Sequence, residues 1–118
     1  MNRLAIFLLA SAAAGSAYAA TAPSPPVFWA GCAGALAVKA ERSASPSLNA
    51  HYTPLARRAL AQARVAANPE KLSVPQINGV AISAARSFRA QLTQNPATAA
   101  SFEKAVKLCA DSIGKLPR

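Results

Sequence analysis

Few side chains in this chain can do chemistry: the 118 residues contain one histidine, two cysteines and four carboxylates. His51 is the only candidate general base, and a catalytic triad needs defined partners that no motif here supplies. The carboxylates are scattered, so no pair has the spacing used for glycoside hydrolysis. The sequence also lacks zinc, haem-attachment and glycine-rich phosphate motifs. We therefore expect a protein that is not an enzyme and has no catalytic residues, metal or cofactor.

The N-terminus has the pattern of a secretory signal peptide. A basic residue, Arg3, precedes an apolar run over residues 4–14, and Ala17 and Ala19 form an A-x-A cleavage signal. The run is shorter than the roughly 20 apolar residues that span a bilayer, which disfavours an uncleaved anchor. We expect a signal peptide over residues 1–19, a flexible leader over 20–26 and one domain over 27–116. Such a protein is periplasmic or secreted and has no stable membrane insertion after cleavage.

Export places Cys32 and Cys109 in an oxidising compartment, where only one intramolecular pairing is available to them. Two alternatives to a disulfide are weaker. Free buried thiols are typical of cytosolic proteins, not of exported ones. A lipid-attachment box that ends at Cys32 should directly follow the apolar run, but three prolines separate the two. Closing so long a loop stabilises a domain by about 4.5 kcal/mol in the chain-entropy model. The sequence therefore predicts a disulfide between Cys32 and Cys109.

Apolar residues recur at helical spacing in the first half of the domain. The first predicted helix is amphipathic, begins at about Val27 and runs to about Arg42. A second begins near Ser47 or at Thr53, which would cap it with Pro54 at the first helical position, and it continues to about Ala67.

Two further helices are predicted in the second half of the domain. Ser73 and Gln76 have the spacing of a capping box that starts the third helix. Asn95 caps the fourth, which Gly114 ends. The apolar stripe of the third helix consists of Ile77, Ala81, Ala84, Phe88 and Leu92, and that of the fourth of Phe102, Val106, Cys109 and Ile113. We predict an all-α four-helix bundle with a disulfide between its first and last helices.

The chain is strongly basic, with a formal net charge of +9. Removing the signal peptide leaves 12 basic and 4 acidic residues, or +8. This balance favours a protein partner or an anionic envelope component. Nucleic acid is disfavoured, because no aromatic residues alternate with the basic ones. The two middle helices supply five arginines that could form a basic contact patch: Arg57, Arg58, Arg64, Arg86 and Arg89. The alternative is that these arginines lie on ordinary solvated helix faces.

The two ends of the chain resemble the small periplasmic acid-stress chaperones. Trp29 and Cys32, followed by residues 36–38, are similar to that family's tryptophan-cysteine opening. Phe102, Val106, Lys107, Asp111, Ile113 and Lys115 recur with spacing similar to its last helix. The middle of the chain does not match, and the family's second cysteine precedes its last helix. The resemblance implies a helical, disulfide-bonded chaperone.

Two functions follow from these observations. The first is a periplasmic stress-type chaperone that binds unfolded clients through apolar surface. The alternative is a dedicated interaction module, such as an immunity protein against a secreted toxin, with the arginines as its contact patch. Both act by binding.

Overall fold

The computed structural model describes residues 24–117, in which four α-helices follow one another along the chain. They are α1 (Pro25–Arg42), α2 (Pro46–Ala67), α3 (Val74–Gln94) and α4 (Ala99–Gly114), and a 3₁₀ turn, Pro96–Thr98, precedes α4. No strand occurs within these residues. The predicted all-α, four-helix architecture is confirmed. The predicted signal peptide and residues 20–23 of the predicted leader lie outside the described residues.

The first helix, α1, is the centre of the bundle and packs against all three other helices. Five consecutive residues, Cys32 to Leu36, are buried, so burial extends around the full circumference of the middle of the helix. The sequence predicted a one-sided, amphipathic helix, and that prediction is wrong. A helix whose surface is apolar on every side is buried by packing against other helices on every side.

The neighbouring helices run in alternating directions around α1. Asn49, near the start of α2, donates its side-chain N–H to the carbonyl of Ala40 at the end of α1, at 3.0 Å. At the other end, Ala30 packs in one cluster with Ala63 and Ile77. α2 is therefore antiparallel to α1, whereas α3 is parallel to it.

The closest approach between α1 and α3 occurs at Gly34. A Cβ atom on this residue would lie 2.8 Å from the Ala81 carbonyl oxygen, the Ala84 Cβ and the Ala85 backbone nitrogen. Two of these three atoms belong to the backbone and cannot rotate away. Gly34 therefore sets the distance between the two helices.

The predicted disulfide between Cys32 and Cys109 is confirmed, with the two Cα atoms 5.4 Å apart. Both cysteines are buried in the main apolar cluster, so the bond joins α1 to α4 inside the bundle. Lys39 and Glu103 add an ion pair of 2.9 Å between the same helices. The predicted stripe of α4 is also confirmed, since all four of its residues are buried: Phe102, Val106, Cys109 and Ile113.

The start of the first helix differs from that predicted. α1 begins at Pro25, so Pro25 and Pro26 form its first turn and are not part of a leader, because proline is accepted where the backbone N–H has no helical partner. Of the two predicted starts of the second helix, the one near Ser47 is confirmed, because α2 begins at Pro46 with Ser45 as its cap. The start at Thr53 is wrong, since Thr53 and Pro54 lie inside the helix. The capping box of Ser73 and Gln76 is confirmed. The Asn95 side chain caps the 3₁₀ turn, not α4 itself.

We expect Gly34→Ala to lower the free energy of unfolding, because the new methyl group forces α1 and α3 apart. Overpacking of this kind costs about 1–3 kcal/mol. Gly31→Ala is the matched control, because a Cβ there meets no atom within 4 Å. Alanine in an open helical position stabilises by about 0.5–1 kcal/mol relative to glycine. Urea denaturation of both variants measures the difference, and equal stabilities would contradict the close approach.

Replacing both Cys32 and Cys109 by alanine is expected to remove about 4 kcal/mol of stability, because the bond restricts the unfolded chain over a separation of 77 residues. The loss is measured by thermal or urea unfolding of the oxidised protein and the double variant. A reducing agent should destabilise the wild-type protein and leave the variant unchanged. Equal sensitivity of the two proteins would show that the bond contributes nothing.

Candidate functional site

An open groove of about 670 Å³ lies between α1 and α3. Apolar and uncharged polar side chains line it, and no charged residue within 24–117 is among them. Its walls include Val27 and Gly31 from α1, Leu72 from the turn before α3, and Val80, Ser83 and Ser87 from α3. Its volume is within the range of about 300–1,000 Å³ that is typical of ligand sites.

The groove exists because two glycines leave space beside the contact between the helices. Gly34 touches α3 directly, but one turn earlier a methyl group on Gly31 would meet no neighbouring atom within 4 Å. Gly79, on the α3 wall, has the same open surroundings. The helices thus approach closely at Gly34 and leave an unfilled apolar surface next to this contact.

The turn between α2 and α3 supplies the end of the groove. Lys71 has a φ of 58°, the left-handed conformation that commonly ends a helix. The Leu72 N–H then donates to the carbonyl of Ala67 at 3.2 Å. This reversal packs Leu72 against the cluster of Ala30, Ala63, Ala67 and Ile77 and places it on the groove wall.

The structure places the five arginines of the predicted patch in different surroundings, and all five are exposed. Arg64 donates to the Asn78 side-chain oxygen of α3 at 3.1 Å, so it bridges the two middle helices. Arg58 donates to the carbonyl of Pro117, in the C-terminal tail, at 3.0 Å. Arg89 pairs with Glu41. Arg57 and Arg86 have no ion pair within residues 24–117, and whether the five form one patch stays a prediction.

Arg89 holds Glu41 with two hydrogen bonds. Its Nε lies 2.6 Å from Glu41 Oε2 and its Nη2 lies 3.0 Å from Oε1. These hydrogen bonds, together with the positive charge, lower the pKa of Glu41 from its ordinary value of 4.5. The pair ties the end of α1 to α3, on the far side of Gly34 from Gly31.

His51, the candidate base, is exposed and its ring lies edge-on to Tyr52, with 4.9 Å between centroids. Among the described residues, no three His, Cys, Asp or Glu side chains come together in a group that could hold a metal ion. None of the described helices is long and apolar enough to cross a membrane. The groove is therefore taken as the candidate site.

Comparison of this chain with protein-family models, with curated proteins and with solved structures finds no match. The candidate site therefore depends on the geometry of the chain's own residues.

Glu41→Gln is expected to reduce the stability of the protein at neutral pH and to have no effect in acid. A lowered carboxyl pKa in the folded state contributes stability that is present above pH 4.5, its ordinary value, and is lost as the pH falls through the lower folded value. Urea midpoints at neutral pH and well below pH 4.5 measure this. Glu70→Gln is the control, because Glu70 has no ion pair among the described residues. Parallel pH profiles for wild type and Glu41→Gln would contradict the role of the pair.

Proposed function

We propose that this protein is an exported, stress-type binding protein that holds an apolar segment of another polypeptide in the groove between α1 and α3. The single observation that carries the proposal is the unfilled apolar surface at Gly31 and Gly79. A concave, mostly apolar surface of this volume is the usual form of a binding site.

The chemistry of the lining supports a polypeptide segment as the ligand. Val27, Leu72 and Val80 offer contacts to aliphatic or aromatic side chains. Ser83 and Ser87 add hydroxyl groups that can bond to a peptide backbone. The groove carries no charge that would need a counter-ion. Its openness to solvent allows an extended chain to enter and leave.

The composition of the core also supports a protein whose packing loosens when it binds a client. Eight of the 17 buried apolar residues are alanines, which bury little area each. The disulfide keeps α4 attached to α1 when the packing loosens. The signal-peptide pattern, and the resemblance of both chain ends to periplasmic acid-stress chaperones, support a periplasmic location and this class of function.

Filling the groove is expected to abolish client binding without unfolding the protein. Gly31→Leu places an aliphatic side chain in the open space, whereas Gly31→Ala adds helix propensity and leaves most of the space empty. The measurement is light scattering of a reduced, aggregating model protein in the presence of each variant. Gly31→Ala should suppress aggregation as wild type does, and Gly31→Leu should not.

Thermal unfolding of the same samples separates a blocked groove from a damaged fold. Both variants should be at least as stable as the wild-type protein, because neither side chain meets a neighbour at its Cβ. Equal suppression of aggregation by Gly31→Leu and wild type would contradict the proposal. One tight, stoichiometric partner, with no activity towards unfolded clients, would instead favour the dedicated immunity-type function.

A further inference from the structure

We infer that the α2–α3 face, a surface on the side of α3 away from the groove, binds the surface of a membrane that contains anionic lipids. The inference is independent of the groove and of the proposed client. The α2–α3 face consists of Arg57, Arg64 and Val65 from α2 and of Val74, Ile82 and Arg86 from α3.

The centre of the α2–α3 face is the hydrogen bond of 3.1 Å between Arg64 of α2 and Asn78 of α3. Val74 lies one turn before Asn78 and Ile82 one turn after it, so both follow the same stripe of α3. Val65 adjoins Arg64 on α2. Three apolar side chains thus surround one contact between the two helices.

These three apolar side chains are well exposed: Val65 by 66%, Val74 by 51% and Ile82 by 53%. Among the other large apolar residues of the described chain, only Leu48 and Leu108 are comparably exposed. Scattered exposed apolar residues are ordinary in a monomer. Three of the five around a single contact form a group that one partner can cover together.

Arginines continue both stripes on one side of this contact. Arg57 precedes Arg64 by seven residues, which is about two turns, and Arg86 follows Ile82 by four, about one turn. Because α2 and α3 run in opposite directions, Arg57 and Arg86 lie on the same side of the contact. All three arginines are exposed, and none has an ion pair within residues 24–117.

The α2–α3 face receives no negative charge from its own helices, because neither α2 nor α3 contains an aspartate or a glutamate. Glu70, in the turn between them, lies at the end opposite Arg57 and Arg86. The carboxylates of α1 and α4 are each paired with a basic residue. An anionic partner therefore meets positive charge that the protein has not neutralised.

The combination of arginines with aliphatic side chains favours a lipid surface over a partner that is only charged. Guanidinium groups bind phosphate oxygens through paired N–H donors. Valine and isoleucine side chains can enter the boundary between headgroups and acyl chains, where buried apolar area and attraction to anionic lipids add together. A purely anionic polymer would use the arginines and leave the three apolar residues in water.

Binding at this face leaves the groove accessible. Ile82 follows Val80, a residue of the groove wall, by two positions, which is about 200° around α3. The two side chains therefore point to nearly opposite sides of the helix. The protein can hold a client in the groove while it is attached to a membrane.

Vesicle flotation tests the inference on purified, oxidised protein that begins at Ala20, since the apolar run of residues 4–14 would bind lipid by itself. This chain contains the whole described bundle. Vesicles of phosphatidylcholine alone are compared with an equal mixture of phosphatidylcholine and phosphatidylglycerol. We expect the mixed vesicles to bind at least about tenfold more tightly, and less so as salt is raised. Equal binding to both kinds of vesicle would overturn the inference.

Paired charge reversals locate the site. Arg57→Glu combined with Arg86→Glu should lower the affinity for mixed vesicles by about 25-fold or more, because each basic residue at an anionic surface contributes about fivefold. Lys104→Glu combined with Lys115→Glu, at exposed positions of α4 and its end, changes the net charge equally and should have a much smaller effect. If both double variants lose the same affinity, overall charge is responsible and the inference is wrong.

A substitution of one apolar residue separates a lipid surface from another polyanion. Ile82→Ser should weaken binding to mixed vesicles about fivefold and leave binding to polyglutamate unchanged. Leu108→Ser, on α4 and 56% exposed, is the matched control and should alter neither. Vesicle binding that Ile82→Ser does not weaken would assign the face to an acidic protein or polymer, against the inference.

Gly31→Leu keeps this inference distinct from the proposed function. It fills the groove and should leave vesicle binding unchanged, whereas loss of vesicle binding would place the lipid in the groove and contradict the inference. A wild-type protein that binds mixed vesicles through Arg57 and Arg86 but does not suppress aggregation would support the inference and remove the proposed function. Thermal unfolding confirms that each variant is folded.

Discussion

The whole structure depends on how closely other helices approach α1. The middle of this helix consists largely of glycine and alanine. Because other helices cover it on every side, larger side chains would not fit there. Backbone-level contact, as between Gly34 and the Ala84–Ala85 region of α3, replaces the interlocking of large side chains. Such contacts are short-range, so each fixes a distance at one point and has little influence a turn away. The groove beside Gly31 is the direct result.

Large side chains are concentrated where α4 meets the bundle. Leu36, Leu92 and Phe102 pack around the disulfide, with the rings of Phe88 and Phe102 edge-on, their centroids 5.4 Å apart. The molecule therefore has a small apolar centre that contains the disulfide, and an alanine-rich cluster nearer the start of α1. The groove lies beside the second of these, since Ile77 belongs to both.

The sequence was sufficient to predict the helices and the disulfide, because each depends on local signals or on the count of cysteines. Proline and asparagine mark the breaks, Ser73 and Gln76 mark a cap, and only one intramolecular pairing is open to two cysteines. The sequence was not sufficient to predict how deeply α1 is buried, because alanine and glycine occur both at the surface and in the interior of proteins. Pro54 favoured the later of the two predicted starts of α2, which is wrong because contacts such as that of Asn49 with Ala40 hold the preceding turns in the helix. The sequence did not predict the groove, because Gly31 and Gly34 are the same residue type and differ only in which atoms of α3 lie opposite them.

The position of the disulfide divides the groove between two parts of the chain that are connected differently. The bond closes a covalent ring from Cys32 to Cys109, which contains α2, α3 and most of α4. The α3 wall belongs to this ring, but Val27 and Gly31 lie before it, on a single stretch of chain. The covalent ring therefore does not hold the first two turns of α1 against α3, and non-covalent packing alone keeps that wall of the groove in place.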